Sequence, residues 1–410
     1  MNLSPVVIAI PMYFILMALE MLVLRFQKHP GYRLNDAITN INCGVMSQVT
    51  GVFFKILSIG IYTLIFEKFG VFEIPNNIWT FLILFFLYDL CYYWAHRMSH
   101  EVNLFWGGHV VHHSSEEYNL SVALRQSSTQ TFWTFFFYFP LAILGFDPLM
   151  LILASGMNLL YQFWIHTEVI GKMGFLELFM NTPSHHRVHH GRNPKYIDKN
   201  HGGTFIIFDK WFGTFQEEEE TPTYGITTPV RSWNPFWVNV AHYATMKEEI
   251  KQIKNLKDKI KYLFNKPGWL PAYLGGYRAP KEIESNFQKF DTVVPPSINW
   301  YIFSQYILLL VLTGYFLFQV SSFSWVPKTG ISLLIIWTTI SFSGIFEKRS
   351  WYFPQEFIRV ICFSFSIFFL FGSNIPQVLL LSTLGVYTFA SFFWLFKNRK
   401  LSSKISSASL

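Results

Sequence analysis

Asn181-Thr-Pro-Ser-His-His-Arg-Val-His-His-Gly-Arg192 is the stretch on which the reading of this chain turns. On a helix, His186, His189 and His190 stand at i, i+3 and i+4, so their imidazoles share one face. The same spacing recurs upstream as His109, His112 and His113, and His96 and His100 form an i, i+4 pair. Two triplets and a pair from distant segments converge only if the chain folds back on itself. Histidine is the commonest neutral metal ligand, and these eight residues exceed what one ion accepts. The simplest reading is a site for two metal ions.

Composition says where such a site would sit. Of 410 residues, 51% are hydrophobic, 19% aromatic and only 14% charged. A soluble domain carries about a quarter charged residues. The expected fold is therefore an all-α polytopic membrane protein, a helical bundle of about nine spans with a cytoplasmic, histidine-rich di-metal cap. The apolar runs are Val6–Leu24, Gly44–Phe66, Ile78–Ala95, Trp133–Gly145, Pro148–Ile165, Trp300–Val320, Gly330–Ile345, Phe357–Phe371 and Gln377–Phe396. The fourth is short enough to be re-entrant instead, and Gly145-Phe-Asp-Pro148 reads as the turn into the fifth. The first run carries no small-residue cleavage site and is long enough to span, so a cleaved leader is not expected.

Charge supports this topology. With the N-terminus outside, Arg25, Lys28, Arg33, Arg97, the polar stretch 166–299, Lys348, Arg349 and the Lys397–Lys400 cluster all fall inside. Lys68 and Lys328 are the chief outside cations. Every clustered histidine then lies on the cytoplasmic face. The net charge of +7 fits cytoplasmic loops better than nucleic-acid binding. The expected divisions are N-terminal helices (1–77), a catalytic core (78–220), a cytoplasmic segment (221–299), C-terminal spans (300–400) and a disordered Ser-rich tail (401–410). Glu217 to Glu220 read as a solvated loop. Lys247–Phe264 reads as one cytoplasmic helix, or as a helix lying on anionic lipid. Cys43, Cys91 and Cys362 are far apart, which argues against a disulfide framework or a thiolate metal site.

Tyr161-Gln-Phe-Trp-Ile-His166 adds a further histidine where the fifth span returns to the cytoplasmic face, with Gln162 one turn before it. With His185, ten of the thirteen histidines fall in this ordered set; His29, His201 and His242 lie outside it and read as structural. Without cysteine ligands a soft-metal site is excluded. The HExxH zinc-hydrolase pattern is absent: Glu101 follows His100, but the second histidine is missing. Many neutral imidazoles around two ions suit iron working with dioxygen, though a nitrogen shell alone does not separate iron from zinc or manganese.

The ordered pattern H-x3-H, H-x2-H-H, Q-x3-H, H-x2-H-H resembles the fatty acid hydroxylase and sterol desaturase superfamily of membrane di-iron oxygenases. Tyr92–Asn103, His112–Ser121, Ala123–Ser127, Leu160–Val169, Asn181–Asn193, Ile197–Asn200 and Lys210–Phe215 carry a closer resemblance to the alkylglycerol monooxygenases within it. That resemblance implies iron ligands at His96, His100, His109, His112, His113, His166, His186, His189 and His190. It implies two irons per chain, a reductant that is tetrahydrobiopterin or a redox protein, and a membrane lipid and O2 as substrates. The activity implied is hydroxylation and cleavage of glyceryl ethers, in the endoplasmic reticulum or a bacterial inner membrane. Gln162 stands where some relatives have a tenth histidine and is expected to hold a water at one metal. Glu101 is expected beside the metals or at the pterin. Arg125, Asp198 and Arg192 read as salt-bridging neighbours, and His185 as an outer partner of the ligands. The rival readings are a sterol or fatty-acyl hydroxylase or desaturase, a zinc hydrolase and, from another class, a metal-binding transporter with ligands lining a path through the bilayer.

Overall fold

The computed structural model describes residues 9–29, 31–280, 283 and 287–403. The helices that matter here are α1 (Ile10–Phe26), α2 (Leu34–Phe69), α3 (Ile78–Glu101), α4 (Asn103–His113), α5 (Gln130–Leu144), α6 (Pro148–Trp164), α7 (Pro183–His190), α8 (Pro235–Gln252), α9 (Leu256–Phe264), α10 (Pro296–Gln319), α11 (Trp325–Phe346), α12 (Tyr352–Phe371) and α13 (Gln377–Ser403). Among the described residues there is no named strand, only two isolated bridges. The start of the first expected span and most of the expected tail lie outside the described residues.

Among the described residues, five helices are long and apolar enough to cross a bilayer: α3, α10 with its short extension to Ser322, α11, α12 and α13 to Asn398. The other four expected spans differ for local reasons. The helices α1 and α6 have 17 residues each, about 26 Å against the roughly 30 Å of a hydrocarbon core. Within α5 a 3-10 turn at Phe135–Tyr138 interrupts the helix. The sixth candidate, α2, bends by 48° between Leu34–Phe54 and Ile56–Phe69.

The chain divides into two units. One comprises Met1–Arg231 and Trp237–Lys289, the other Ser232–Phe236 and Phe290–Leu410. In the first, α3 is the axis. Asn77 caps it by accepting from the Trp79 and Thr80 N–H groups, and Thr80 completes a capping box. From there 24 residues run about 36 Å, delivering His96 and His100 at the far end. The turn before α6 forms as its sequence suggests: Gly145 takes φ +100, and Asp147 accepts from the Leu149 N–H at 2.7 Å. Between α3 and α6 pack Leu84, Tyr88, Ala154 and Met150.

Two local expectations change. The basic stretch is not one helix: it breaks after Gln252, and Asn255 caps α9 by accepting from Asp258 N–H. Ile253 is buried in that break, whereas Leu256 and Ile260 are exposed. The glutamate run is not simply solvated. Glu218 receives Arg187 at 2.7 Å and Ser184 at 2.8 Å, clasping α7, while Glu220 accepts from Asn193 at 2.7 Å.

In the second unit, α10–α13 enclose an ion pair that hydropathy alone passes over. Glu356 and Arg359, one turn apart on α12, are fully buried and meet at 2.6 Å. Tyr301 donates to Glu356, and Arg359 and Tyr387 both donate to Gln305. A charge pair at this depth persists only when every remaining polar atom has a partner.

Candidate metal centre

Nine histidines meet in two buried groups. His96, His100, His109, His113 and His189 form the larger; His112, His166, His186 and His190 form the smaller. Within each group one nitrogen per residue lies within 4.8 Å of all the others. Helix geometry explains the division. Residues at i and i+4 lie about 40° apart around a helix, while i+3 lies about 60° to the other side of i. Hence His109 and His113 enter the larger group and His112 the smaller; on α7, His186 and His190 enter the smaller and His189 the larger. Each triplet fans across both groups, a consequence the shared-face reading did not resolve. The groups abut: the His113 and His190 rings are 4.4 Å apart and those of His186 and His189 5.2 Å.

Backbone carbonyls set the tautomers. His96 Nδ1 bonds the His201 carbonyl at 2.7 Å, His112 Nδ1 that of Arg125 at 3.0 Å, His166 Nδ1 that of Gln162 at 2.7 Å, and His189 Nδ1 that of Lys199 at 2.9 Å. A carbonyl only accepts, so each of these rings carries its proton on Nδ1 and points a bare Nε2 into its group. His112 Nε2 and His166 Nε2 then face each other at 3.2 Å with no proton between them. Two ligands about 2.1 Å from one ion and at right angles to each other are about 3.0 Å apart. The other close Nε2 pairs match this: His96 with His109 at 2.9 Å, His113 with His109 at 3.0 Å and His186 with His166 at 2.9 Å. The donor set fits two cations.

Electrostatics agree. Burial, reinforced by mutual repulsion, holds His113, His186 and His190 well below the ordinary imidazole range. Burial takes His112 down to about 4. The rings are therefore neutral, as ligands must be. Aromatic side chains close the surroundings: Trp106 lies 5.0 Å from His100, and Tyr118 5.3 Å from His190 and 4.6 Å from Tyr224.

Residues 81–214 match the Fatty acid hydroxylase family. Over 392 residues the chain is 38% identical to human alkylglycerol monooxygenase, covering 94% of this chain and 87% of the human one. The chain belongs to the alkylglycerol monooxygenase family. The zebrafish alkylglycerol monooxygenase is 37% identical over 85% of this chain and 79% of its own. An ornithine lipid hydroxylase of Rhizobium tropici is 28% identical over 30% of this chain and 38% of its own. No solved structure matches.

In this alkylglycerol monooxygenase family member, several residues marked by sequence stand outside both groups. The Gln162 side chain accepts from Tyr92 at 2.7 Å and donates to Asn158, while its carbonyl orients His166. Glu101 ends α3 beside Arg97 at 3.2 Å and Lys266 at 4.0 Å. Asp198, at φ +56, lies 3.7 Å from His100 Nδ1 and 3.3 Å from Lys266. His185 packs 5.4 Å from Phe215. Arg192 stacks over Phe287 at 3.9 Å and donates to the Ile226 carbonyl. Arg125 does more than bridge charges. It donates to the Val111 carbonyl, Ser114 and Asn40, and its own carbonyl fixes His112.

Sequence reasoning missed Asp89. Buried mid-helix on α3, it accepts from the Thr204 and Phe205 N–H groups at 2.9 and 2.8 Å and from Asn158. A lone carboxylate inside an apolar run was the available signal. It pins the 202–205 loop, where Gly203 approaches so closely that a Cβ would sit 2.5 Å from Asp89 Oδ1. Asp89→Ala strands two buried N–H groups at about 1–3 kcal/mol each. We expect thermal unfolding in detergent to register a loss of about 3–5 kcal/mol, with Asp89→Asn losing less.

Proposed function

We propose that this chain is a membrane-bound, non-haem di-iron monooxygenase that uses O2 to hydroxylate and cleave the ether bond of alkylglycerols. The observation that carries the metal reading is the pair of bare nitrogens of His112 and His166, 3.2 Å apart and sharing no proton. The ether-lipid reading is supported by likeness to alkylglycerol monooxygenases along nearly the whole chain. His96, His100, His109, His113 and His189 would hold one ion; His112, His166, His186 and His190 the other. Iron, when bound, supplies the activation of O2 for insertion into a C–H bond.

The chain's own residues do the rest. The carbonyls of His201, Arg125, Gln162 and Lys199 hold the imidazoles in their neutral, inward-facing form. Trp106, Tyr118 and Tyr224 wall the groups against water. The overall reaction takes alkylglycerol, O2, two electrons and two protons to a hemiacetal and water. The hemiacetal then collapses to a fatty aldehyde and glycerol. In this reading the clustering of Lys and Arg on one side of the apolar runs puts the site at the cytoplasmic face, where a lipid can enter sideways from the bilayer. Electrons come from tetrahydrobiopterin, and Glu101, at the rim between Arg97 and Lys266, belongs to the pterin's side of the site.

The test is an assay of membranes carrying this protein with alkylglycerol, with and without added tetrahydrobiopterin, followed by aldehyde detection. Pterin-dependent aldehyde and about two irons per purified chain are expected. Glu101→Gln should raise the pterin concentration needed for half-maximal rate. Absence of aldehyde under either condition removes the ether-lipid reading, and zinc alone in the active preparation removes the iron.

A further inference from the structure

We propose that residues 201–214, which the charge pattern assigns to a cytoplasmic stretch, form a re-entrant loop that dips into the bilayer beside α3, with lipid acyl chains packed against Trp211 and Phe212. This placement requires only that α3 crosses the membrane, whatever reaction the site runs. The loop descends α3 and returns. At its start the His201 carbonyl accepts from His96 Nδ1 at 2.7 Å. Phe205 then meets Phe85 and Phe86, with ring centroids 6.1 and 5.6 Å apart, and Phe208 and Trp211 meet Phe86 at 5.2 and 6.4 Å. Phe212 is back beside Tyr93 and Trp94, at 5.3 and 5.0 Å, and Thr214 bonds the Tyr93 hydroxyl at 2.9 Å. From His96 to Phe86 is ten residues of helix, a descent of about 15 Å, or half of a hydrocarbon core of roughly 30 Å.

The backbone is prepared for that depth. Irregular chain at membrane depth is tolerated only where its N–H and C=O groups are satisfied by the protein. Asp89 accepts the Thr204 and Phe205 N–H groups, and Asp209 those of His201 and Gly202 at 2.7 Å each. The Ile206 N–H donates to the Phe179 carbonyl at 3.0 Å, and the Thr204 carbonyl accepts from Asn181 N–H at 2.8 Å. A carboxylate midway along an apolar span is costly, and a loop of this kind is what Asp89 is there to serve.

The outer surface matches lipid. Trp79, Leu82 and Ile83 are exposed on one stripe of α3, and Phe86 continues that stripe at i+7 from Trp79. On a helix that crosses the membrane such a stripe faces acyl chains. Trp211, 64% exposed, extends it from Phe86, and Phe212 is exposed beside it. Lys210 Nζ donates to the Glu177 and Leu178 carbonyls at 2.9 Å each, which joins a second exposed apolar pair, Phe175 and Leu178, to the same surface.

Full-length protein in phosphatidylcholine vesicles tests this. Trp211→Cys is labelled with a bimane fluorophore, and Leu178→Cys is the second position should the first variant fail to fold by gel filtration. The unsubstituted protein supplies the background from Cys43, Cys91 and Cys362. Ile83→Cys on α3 is the lipid reference, and Glu248→Cys, at an exposed site on α8, the water reference. Phosphatidylcholine with brominated acyl chains should quench the label at 211 as it does that at 83, and aqueous iodide should quench it several-fold less than at 248. Iodide quenching equal to that at 248, with no effect of the brominated lipid, overturns the re-entrant placement. If the label at 83 also escapes the brominated lipid, α3 does not cross the membrane and the proposal falls, while the metal centre is untouched.

Discussion

Replacing His112 by alanine is expected to take turnover down to background while the protein stays folded. His112 is the one contribution of α4 to the smaller group, which falls from four imidazoles to three without it. The Arg125 carbonyl orients it at 3.0 Å, and its bare Nε2 faces that of His166 at 3.2 Å. Deleting an outer partner of a ligand typically costs about 10–100-fold, so deleting a ligand costs more. The fold has less at stake. The carbonyl of Arg125 loses its partner, at about 1–3 kcal/mol, against a typical domain stability of about 5–15 kcal/mol. Metal content should drop from about two ions per chain to about one, with far-UV circular dichroism unchanged. A variant that retains full turnover would mean that the nine-histidine assignment is wrong.

The histidines were legible because their constraint is local and chemical. A triplet at i, i+3 and i+4 has no use in apolar packing, and the structure gathers all nine expected residues. What spacing could not reveal is the division into five and four. That depends on how α4 and α7 are rotated toward each other, a property of tertiary packing. The carbonyls that orient the imidazoles were invisible for the same reason: any residue carries one, and only the fold selects Gln162, Arg125, Lys199 and His201. Asp89 and Arg359 were readable as charges within apolar runs, but their partners, Thr204 and Phe205 in one case and Gln305 in the other, lie far away in sequence. The span count went further than helix lengths support, because hydropathy does not register the 3-10 turn in α5 or the bend in α2.

Acid should unfold the metal-free protein well above the pH at which ordinary carboxylates titrate. His109, His112, His113, His166, His186, His189 and His190 are all held below the usual imidazole value, chiefly by burial. In the unfolded chain the same groups take up protons near pH 6.5. Below that pH the unfolded state binds more protons than the folded one, so stability rises with pH and falls as acid is added. The loss from each group begins near 6.5 and stops growing only at its folded value, which for His112 is about 4. One pKa unit is worth about 1.4 kcal/mol, so His112 alone accounts for about 3 kcal/mol. The other six act in the same direction, against a typical domain stability of roughly 5–15 kcal/mol. We therefore expect the melting temperature of metal-stripped protein in detergent to fall steeply between pH 7 and pH 5. Bound ions should delay that fall, since protons must then displace metal, and each ion released should be accompanied by proton uptake. A melting temperature that stays flat or rises toward acid would show that these imidazoles are already charged in the fold, and charged imidazoles cannot be the ligands.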